Sequence, residues 1–154
     1  MIKIEACKDA ELLSELNEEL QNLHHYLYPD QFKKHNKEEI VPALRKMLSH
    51  ENCHGYVAYV EGEVAGYIVV FVNQRPETAF QKEMLILHLD QIFVKEEMRE
   101  HKVAEAFMKK LKSIAHEIGA SRIQLDHWSA NDRARRFFEK SGFTCYNERR
   151  EYVL

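Results

Sequence analysis

The residues with the clearest chemical potential form a basic turn between a predicted strand and a predicted helix. Arg99, His101 and Lys102 lie after the end of that strand at Val94 and before or at the start of the helix near Val103. The first amides of a helix are unpaired and carry partial positive charge, so such a junction can bind an anion. A charged, solvated loop has the same composition, and the turn alone does not distinguish the two.

His88 and Asp90 lie on the strand that leads into this turn. Residues two apart on a strand share a face, so Asp90 is expected to lie on the same face as Ile92 and His88. On that face Asp90 could act as a general base, and His88 could relay a proton through water. The alternatives are that Asp90 is a partly exposed strand residue without a role and that His88 is a satisfied histidine of the sheet.

Hydrophobic periodicity predicts the elements that must position these residues. Asp9 and Asn36 are expected to cap two N-terminal helices, and Ser129 or Asn131 to cap the last helix. The predicted elements are strand 2–6, helices 12–27 and 40–48, strands 56–61, 64–72 and 84–94, helix 103–118, strand 122–127, a helix from Asn131 to Gly142, and one or two strands within 143–154.

This order, β-α-α-β-β-β-α-β-α-β, predicts an α/β (α+β) single domain over residues 1–154, with a mixed central sheet flanked by helices. The second strand of the hairpin, 64–72, is apolar on both faces and is therefore expected to be central. The unit from Met84 to His127 should be a right-handed crossover with parallel strands.

Composition limits the classes of function. The chain has 154 residues and a formal net charge of -3 at pH 7, so it lacks the basic excess that sequence-independent nucleic-acid binding needs. No apolar run approaches the roughly 20 residues that span a bilayer, and the N-terminus does not resemble a secretion signal. The 3 cysteines are widely spaced and do not form a disulfide framework. We therefore expect a cytoplasmic protein that binds neither nucleic acid nor membranes.

Two segments resemble the motifs of the GNAT-type N-acetyltransferases. In that family a strand ends in a pattern like L-x-V, and an R-x-x-G-x-G/A turn opens five residues after the Val. Arg99 stands at that distance from Val94, and Ala104 occupies the final small position. Residues 131–143, NDRARRFFEKSGF, are similar to the family's N-x-x-A-x-x-F-Y-E-K-x-G-F segment, and this second motif is the more specific.

The resemblance implies a GNAT-like domain that uses acetyl-CoA as its co-substrate. Main-chain groups of the strand would hold the pantetheine arm and the acyl oxygen, and the amides of the turn would cradle the pyrophosphate. It also implies an acidic residue at the position of Asp90. The residues implied to bind the cofactor are Ile92, Phe93, Val94, Arg99, Glu100, His101, Lys102, Val103, Ala104, Asn131 and Phe138.

The chain departs from the family pattern at two positions. Lys102 replaces the first glycine of the turn, which adds bulk where a phosphate approaches the backbone but also adds positive charge. Phe138 replaces a frequent tyrosine that is thought to protonate the departing thiolate, and phenylalanine has no ionisable hydrogen. Tyr146 or a water is expected to take that role, or the thiolate leaves unassisted.

The acceptor amine is less clearly indicated than the donor. Tyr26, Tyr28 and Phe32 follow the first helix, in a region that borders the acceptor pocket in GNAT-like folds, so they are candidates to line it. The alternative is that these aromatic residues belong to the core or to a lid. The resemblance implies a small-molecule or peptide amine as the partner, and a homodimer formed through the terminal strands.

Two further clusters are weak candidates for other chemistry. His50, Cys53 and His54 have spacings that could seat zinc, but they straddle a predicted helix end and lack a fourth ligand, so we expect no metal. Asp126 and His127 beside Cys145 could suggest a nucleophilic arrangement, but neighbours in sequence point to opposite faces of a strand, so we expect no cysteine-based mechanism.

The leading interpretation is therefore an acetyl-CoA-dependent N-acetyltransferase in which a primary amine attacks directly in a ternary complex. A degenerate GNAT-like module that binds acyl-CoA without turnover is the first alternative, favoured by Lys102 and Phe138. An unrelated α/β nucleotide-binding protein is the second.

Overall fold

A computed structural model describes all 154 residues and contains a five-stranded sheet with the order β1-β2-β3-β4-β5. The first three neighbouring pairs are antiparallel, and β4 and β5 are parallel, as the crossover predicts. The elements are β1 (Ile2–Cys7), α1 (Ala10–Leu27), α2 (Lys37–Leu48), β2 (Cys53–Val60), β3 (Glu63–Arg75), β4 (Met84–Val94), a 3-10 helix (Glu96–His101), α3 (Val103–Ile118), β5 (Arg122–Leu125) and α4 (Asp132–Lys140).

Side-chain caps fix the starts of three helices, as the sequence predicts. Asp9 accepts hydrogen bonds from two amides in the first turn of α1, and Asn36 accepts one from the first turn of α2. Asn131, rather than Ser129, caps α4 by accepting from the amide of Ala134 at 3.1 Å. Local hydrogen bonding of this kind explains why these boundaries can be read from the sequence.

Two hydrophobic cores cover the two faces of the sheet. We call the cluster beneath α1 and α2 the α1/α2 core, and the cluster beneath α3 and α4 the α3/α4 core. Strand β3 contributes to both, which confirms that it is central. Buried residues of the α1/α2 core include Leu13, Val57, Tyr67, Val69 and Phe93, and those of the α3/α4 core include Ile68, Val70, Leu87, Leu89 and Phe107.

A bulge interrupts β4 in the middle of its pairing with β3. Val70 lies opposite Leu89, but the next residue of β3 in register, Val69, lies opposite Gln91, so Asp90 has no opposite residue. An extra residue of this kind locally breaks the alternation of side chains between the two faces of a sheet.

The bulge makes one expectation about Asp90 wrong. Leu89 and Ile92 both pack against the α3/α4 core, although they are three residues apart. Asp90 lies on the other face, where its charge contributes, after burial, to raising the pKa of Cys53 and Tyr67 in the α1/α2 core. Asp90 and Ile92 therefore do not share a face.

The strand expected within residues 143–154 is absent. Phe143 packs at the margin of the α3/α4 core, and its amide donates to the carbonyl of Phe138 at 3.0 Å. Residues 144–154 are exposed and form neither helix nor strand. Strand propensity alone does not form a strand, because the segment pairs with no other strand in this chain. Strand β5 also ends at Leu125, two residues earlier than predicted.

No helix combines the length and the apolarity that crossing a membrane requires.

Lys102 joins the 3-10 helix to α3 in a left-handed backbone conformation, with φ of 61° and ψ of 29°. A side chain carrying a Cβ is strained there, whereas glycine is not. The position at which the resembled family has glycine is thus one where the backbone geometry favours glycine.

We predict that Lys102→Gly is more stable than Lys102→Ala. Both variants remove the charge, and only alanine retains the strain, so the free energies of unfolding should differ by about 1 kcal/mol. Urea denaturation of the two variants measures the difference. Equal stabilities, or a more stable alanine variant, would contradict the left-handed geometry.

We also predict that Gly66→Ala destabilises the fold where β3 meets the end of β4. A Cβ at Gly66 would overlap the carbonyl oxygen of Phe93, so the strands must separate. The expected loss is about 1–3 kcal/mol in the free energy of unfolding. Ser113→Ala on the exposed face of α3 is the control, with a change within about 0.5 kcal/mol. An unchanged Gly66→Ala variant would refute the close approach.

Candidate active site

Strand β4 presents an unpaired backbone edge beside the bulge. Strand β5 pairs with residues 86–89 of β4, and no pairing continues beyond Leu89 and Leu125. The edge of residues 90–94 that faces away from β3 therefore has no strand partner. An extended ligand can bind such an edge through main-chain hydrogen bonds, as an added strand does.

Free amides lie at the start of α3, a few residues beyond this edge. The amide of Ala106 donates to the carbonyl of Lys102 at 3.1 Å, and no side chain caps the helix. The amides of Val103, Ala104 and Glu105 belong to the first turn of α3, where no residue of the same helix can accept from them. Amides at the positive end of a helix dipole suit an anion such as a phosphate.

Two arginines lie near this helix start. The Nε atom of Arg99 donates to the carbonyl of Val94 at 3.1 Å, so the side chain folds back over the end of β4. Burial lowers the pKa of Arg133 on α4, and the positive charge of Arg99 lowers it further, while Glu96 opposes the change. The positive charge of Arg99 thus acts on Arg133, and a bound anion would offset that effect.

The other residues implied to bind a cofactor have diverse surroundings. Phe138 is buried and contacts the rings of His127, Phe137 and Phe143, so its side chain serves the α3/α4 core. Asn131 uses its side-chain oxygen to cap α4, which leaves its NH2 group free. The side chains of Ile92, Phe93, Val94 and Val103 pack into the cores, whereas those of Glu100, His101 and Lys102 are exposed and Ala104 is half-buried.

Asp90 and His88 lie together on the opposite face from the α3/α4 core. His88 is paired with Phe71, which packs against the α1/α2 core, and paired residues share a face. The Nε2 atom of His88 lies 3.9 Å from a carboxylate oxygen of Asp126, which follows β5 and is exposed. Asp90 is also exposed. Carboxylates therefore occupy both sides of the point where β4 and β5 stop pairing.

A buried hydrogen-bond network connects the bulge in β4 to Tyr67 on β3 and to Asn17 on α1. The hydroxyl of Tyr67 donates to Oε1 of Gln91 at 2.7 Å, and the side-chain amide of Asn17 on α1 donates to the Tyr67 hydroxyl at 3.0 Å. Burial raises the pKa of Tyr67, so its hydroxyl stays protonated as a donor. These bonds fix Gln91 next to Asp90 and tie the bulge to α1.

An aromatic cluster connects the end of α1 to the loop between β5 and α4. The ring of Trp128 lies 4.9 Å from Tyr28 and 4.8 Å from Phe32, and Phe32 lies 4.9 Å from His24. The hydroxyl of Tyr28 accepts a hydrogen bond from the amide of Ala130 at 2.8 Å. Tyr28 and Phe32, two of the three predicted acceptor residues, thus meet in one cluster.

The structure does not bring two predicted site residues to this region. Tyr26 points outward from α1 with 80% of its surface exposed and takes no part in the aromatic cluster. Tyr146 lies in the segment 144–154, is 73% exposed, and makes no hydrogen bond to any of the other candidates.

Two residues of the site were not selected from the sequence. Trp128 is the single tryptophan of the chain and lies three residues after the end of β5, a signal that sequence analysis could have used. Arg133 lies on α4, and the influence of Arg99 and Glu96 on its pKa comes from residues more than 30 positions away, which no local pattern indicates.

The weaker candidates for other chemistry gain no support. No group of three or more histidine, cysteine or acidic side chains lies together as a metal site would need. Burial raises the pKa of the Cys53 thiol to about 11, so this sulfur is protonated and unreactive near neutral pH. Cys145 lies in the exposed segment 144–154, where its thiol donates to the carbonyl of Asn147 rather than to a histidine.

Solved structures of other proteins share this fold. The tetramutant of the BH1408 protein from Bacillus halodurans aligns with a TM-score of 0.91 and 19% identity, over 100% of this chain and 99% of that chain. The ribosomal-protein-alanine N-acetyltransferase of Brucella melitensis aligns with a TM-score of 0.66 and 18% identity, over 100% of this chain and 98% of that chain. The aminoglycoside N-acetyltransferase AAC(6')-Iy in complex with CoA aligns with a TM-score of 0.71 and 15% identity, over 100% of this chain and 95% of that chain.

The sequence itself also matches a family. The sequence model of the Acetyltransferase (GNAT) family matches residues 13–143, which include the unpaired edge of β4, the start of α3 and the whole of α4. The chain belongs to the GNAT acetyltransferase family.

Proposed function

We propose that this protein is an acetyl-CoA-dependent N-acetyltransferase that acts on a primary amine by direct attack. The observation that carries the proposal is the continuity of the unpaired β4 edge with the free amides at the start of α3. One surface thus offers main-chain partners for an extended amide-containing arm and, at its end, a site for phosphate.

The donor half of the site consists mainly of backbone. The edge of residues 90–94 would hold the pantetheine arm, and the amides of Val103, Ala104 and Glu105 would hold the pyrophosphate. Arg99 and Arg133 would add charge-assisted hydrogen bonds to phosphate oxygens. When bound, acetyl-CoA would supply an acetyl group activated as a thioester.

The acceptor half lies on the face of Asp90. The neutral amine would attack the acetyl carbonyl, forming a C–N bond as the C–S bond breaks. Asp90 would take the proton that the amine loses, directly or through a water held by His88. Neither Phe138 nor Tyr146 offers a phenol here, so the thiolate would leave unassisted or take a proton from water.

The surroundings of Asp90 favour an amine that is cationic in solution. Two carboxylates, Asp90 and Asp126, lie at the end of the β4–β5 pairing, and aromatic rings of Tyr28, Phe32 and Trp128 form the cluster nearby on the α1 end. Carboxylates and ring faces both attract ammonium groups. One structural neighbour has been solved with a bisubstrate analogue that joins CoA to an acetylneamine. Small-molecule and peptide amines both fit this chemistry.

A degenerate module that binds acyl-CoA without turnover is the second candidate. Two observations favour it, the left-handed Lys102 at the glycine position and the buried Phe138 at the tyrosine position. Release of free thiol from acetyl-CoA in the presence of an amine panel distinguishes the two, because a binding module releases none. The cytoplasmic location expected from the sequence stays a prediction.

We predict that Arg133→Ala and Arg99→Ala each weaken acetyl-CoA binding. Loss of one charge-assisted hydrogen bond should cost about 1–3 kcal/mol, which is roughly 5- to 150-fold in Kd. Isothermal titration calorimetry at low salt measures the effect. Arg136→Ala, an exposed arginine on the same helix, is the matched control and should bind normally. If all three variants bind equally well, the phosphate site is elsewhere.

We predict that Asp90→Asn lowers kcat far more than it weakens acetyl-CoA binding. A general base contributes on the order of 10²–10⁴-fold to the rate, whereas the donor is held mainly by backbone groups. Thiol release and calorimetry measure the two quantities on one preparation. Glu77→Gln, in the exposed loop before β4, is the control for a lost surface carboxylate. Normal turnover by the Asp90→Asn variant would show that the proton leaves by another route.

A further inference from the structure

The bulge in β4 puts two neighbouring polar side chains on one face of the sheet. Besides burial, the charge of Asp90 raises the pKa of Tyr67, which lies in the α1/α2 core. The carboxamide of Gln91 bonds to the same tyrosine. Neighbours on a regular strand would point to opposite faces, so the bulge is what brings this carboxylate and this carboxamide to the same side.

The hydrogen bonds of Gln91 fix which end of its carboxamide faces outward. The Tyr67 hydroxyl donates to Oε1 of Gln91 at 2.7 Å, and the NH2 group of Asn17 donates to that hydroxyl at 3.0 Å. If the Gln91 carboxamide were turned over, its NH2 group would face the NH2 group of Asn17, and the hydroxyl proton of Tyr67 would have no acceptor. The oxygen of Gln91 is thus used inside the fold, and its NH2 group is directed away from Tyr67.

The NH2 group of Gln91 is a donor that the fold does not use. It makes no hydrogen bond within the chain and, unlike the side-chain oxygen of Asn17, it is not buried. Asn17 is only 6% exposed, and its Oδ1 has no partner. A buried network with an unsatisfied atom stabilises a fold less than apolar side chains of the same shape do. The orientation that the network gives to Gln91 therefore explains it better than stability does.

We propose that Gln91 selects the acceptor substrate by donating a hydrogen bond to an oxygen atom close to the reacting amine. This inference rests on the proposed transferase function, in which the amine lies against Asp90. A carboxylate that attracts nitrogen and an NH2 group that donates to oxygen recognise two points of one molecule. The acceptor is then an amine that carries an ether, hydroxyl or carbonyl oxygen, and a purely aliphatic amine is a poorer substrate. Tyr67 is a positioning residue, because it acts only through Gln91.

Two small amines of the same shape test this preference. Methoxyethylamine has an ether oxygen where butylamine has a methylene group, and an ether oxygen accepts hydrogen bonds without donating them. Thiol release at saturating acetyl-CoA gives kcat/KM for each amine. The two amines also differ in basicity, so the quantity to compare is the ratio of their kcat/KM values in a variant and in the native protein. The chemistry of the amines themselves cancels in that comparison.

Gln91→Glu removes the donor and keeps an oxygen for the Tyr67 hydroxyl. We expect the preference for methoxyethylamine to fall by roughly 2- to 10-fold, the contribution of one neutral hydrogen bond. Gln81→Glu adds the same charge in the exposed loop between β3 and β4 and should leave the ratio unchanged. An unchanged ratio in the Gln91→Glu variant would overturn the proposal.

Tyr67→Phe removes the hydroxyl that orients the carboxamide and keeps the ring in the core. It should lower the same ratio, whereas the Kd of acetyl-CoA, measured by calorimetry, should stay unchanged because the donor is held elsewhere. Tyr59→Phe removes the hydroxyl of a half-buried tyrosine on β2, outside the network, and is the matched control. A merely structural role for Tyr67 would slow both amines equally, and that result would contradict the positioning role.

NMR on the native protein makes the test independent of turnover and of the folding of any variant. The side-chain NH2 signals of Gln91 should shift when methoxyethylamine is added in the presence of CoA, and they should shift less with butylamine. If neither amine releases thiol but the signals respond in this way, the transferase proposal fails and the selection by Gln91 stands. Equal shifts with both amines, or no shifts, would overturn the inference whether or not the protein turns over.

Discussion

The pairing of β4 is the constraint on which the rest of this structure depends. Strand β4 is paired with β3 along its length but with β5 only over residues 86–89, and the bulge at Asp90 falls where the second pairing stops. The bulge turns Asp90 and Gln91 toward the face of the sheet that α1 covers. Because the pairing with β5 stops at Leu89, the backbone edge of residues 90–94 is left without a strand partner. In the proposed function, the donor would therefore lie along this free edge and the amine would approach it from the face that carries Asp90.

The two cores keep this unpaired edge in place. Ile92 and Val94 pack against the α3/α4 core and Phe93 packs against the α1/α2 core, so side chains on both faces hold a strand that has no neighbour on one side. The network of Asn17, Tyr67 and Gln91 adds a polar link to α1. A binding edge that is held by packing needs no rearrangement before a ligand arrives, which lowers the cost of binding.

Sequence alone predicts the features that depend on local interactions. The caps at Asp9 and Asn36, the bounds of β4 and the start of α3 at Val103 follow from propensity and periodicity, and the structure has them. The bulge at Asp90 shifts the alternation of apolar residues by one position between Leu89 and Ile92, and strict alternation across it wrongly predicts that Asp90 and Ile92 share a face. The contacts of Trp128 and the surroundings of Arg133 depend on residues distant in sequence, and although the single tryptophan could have been singled out, no local pattern gives those partners.

The most direct test of this account is to map acetyl-CoA onto the backbone amides by two-dimensional NMR. The account predicts that the largest shifts on titration fall on residues 90–94 and on Val103, Ala104 and Glu105, the amides of the free edge and of the helix start. Free CoA should shift the same amides, because the acetyl group contributes little to holding the donor. Shifts confined to other parts of the chain, or none at millimolar acetyl-CoA, would contradict the central claim that this edge is the donor site.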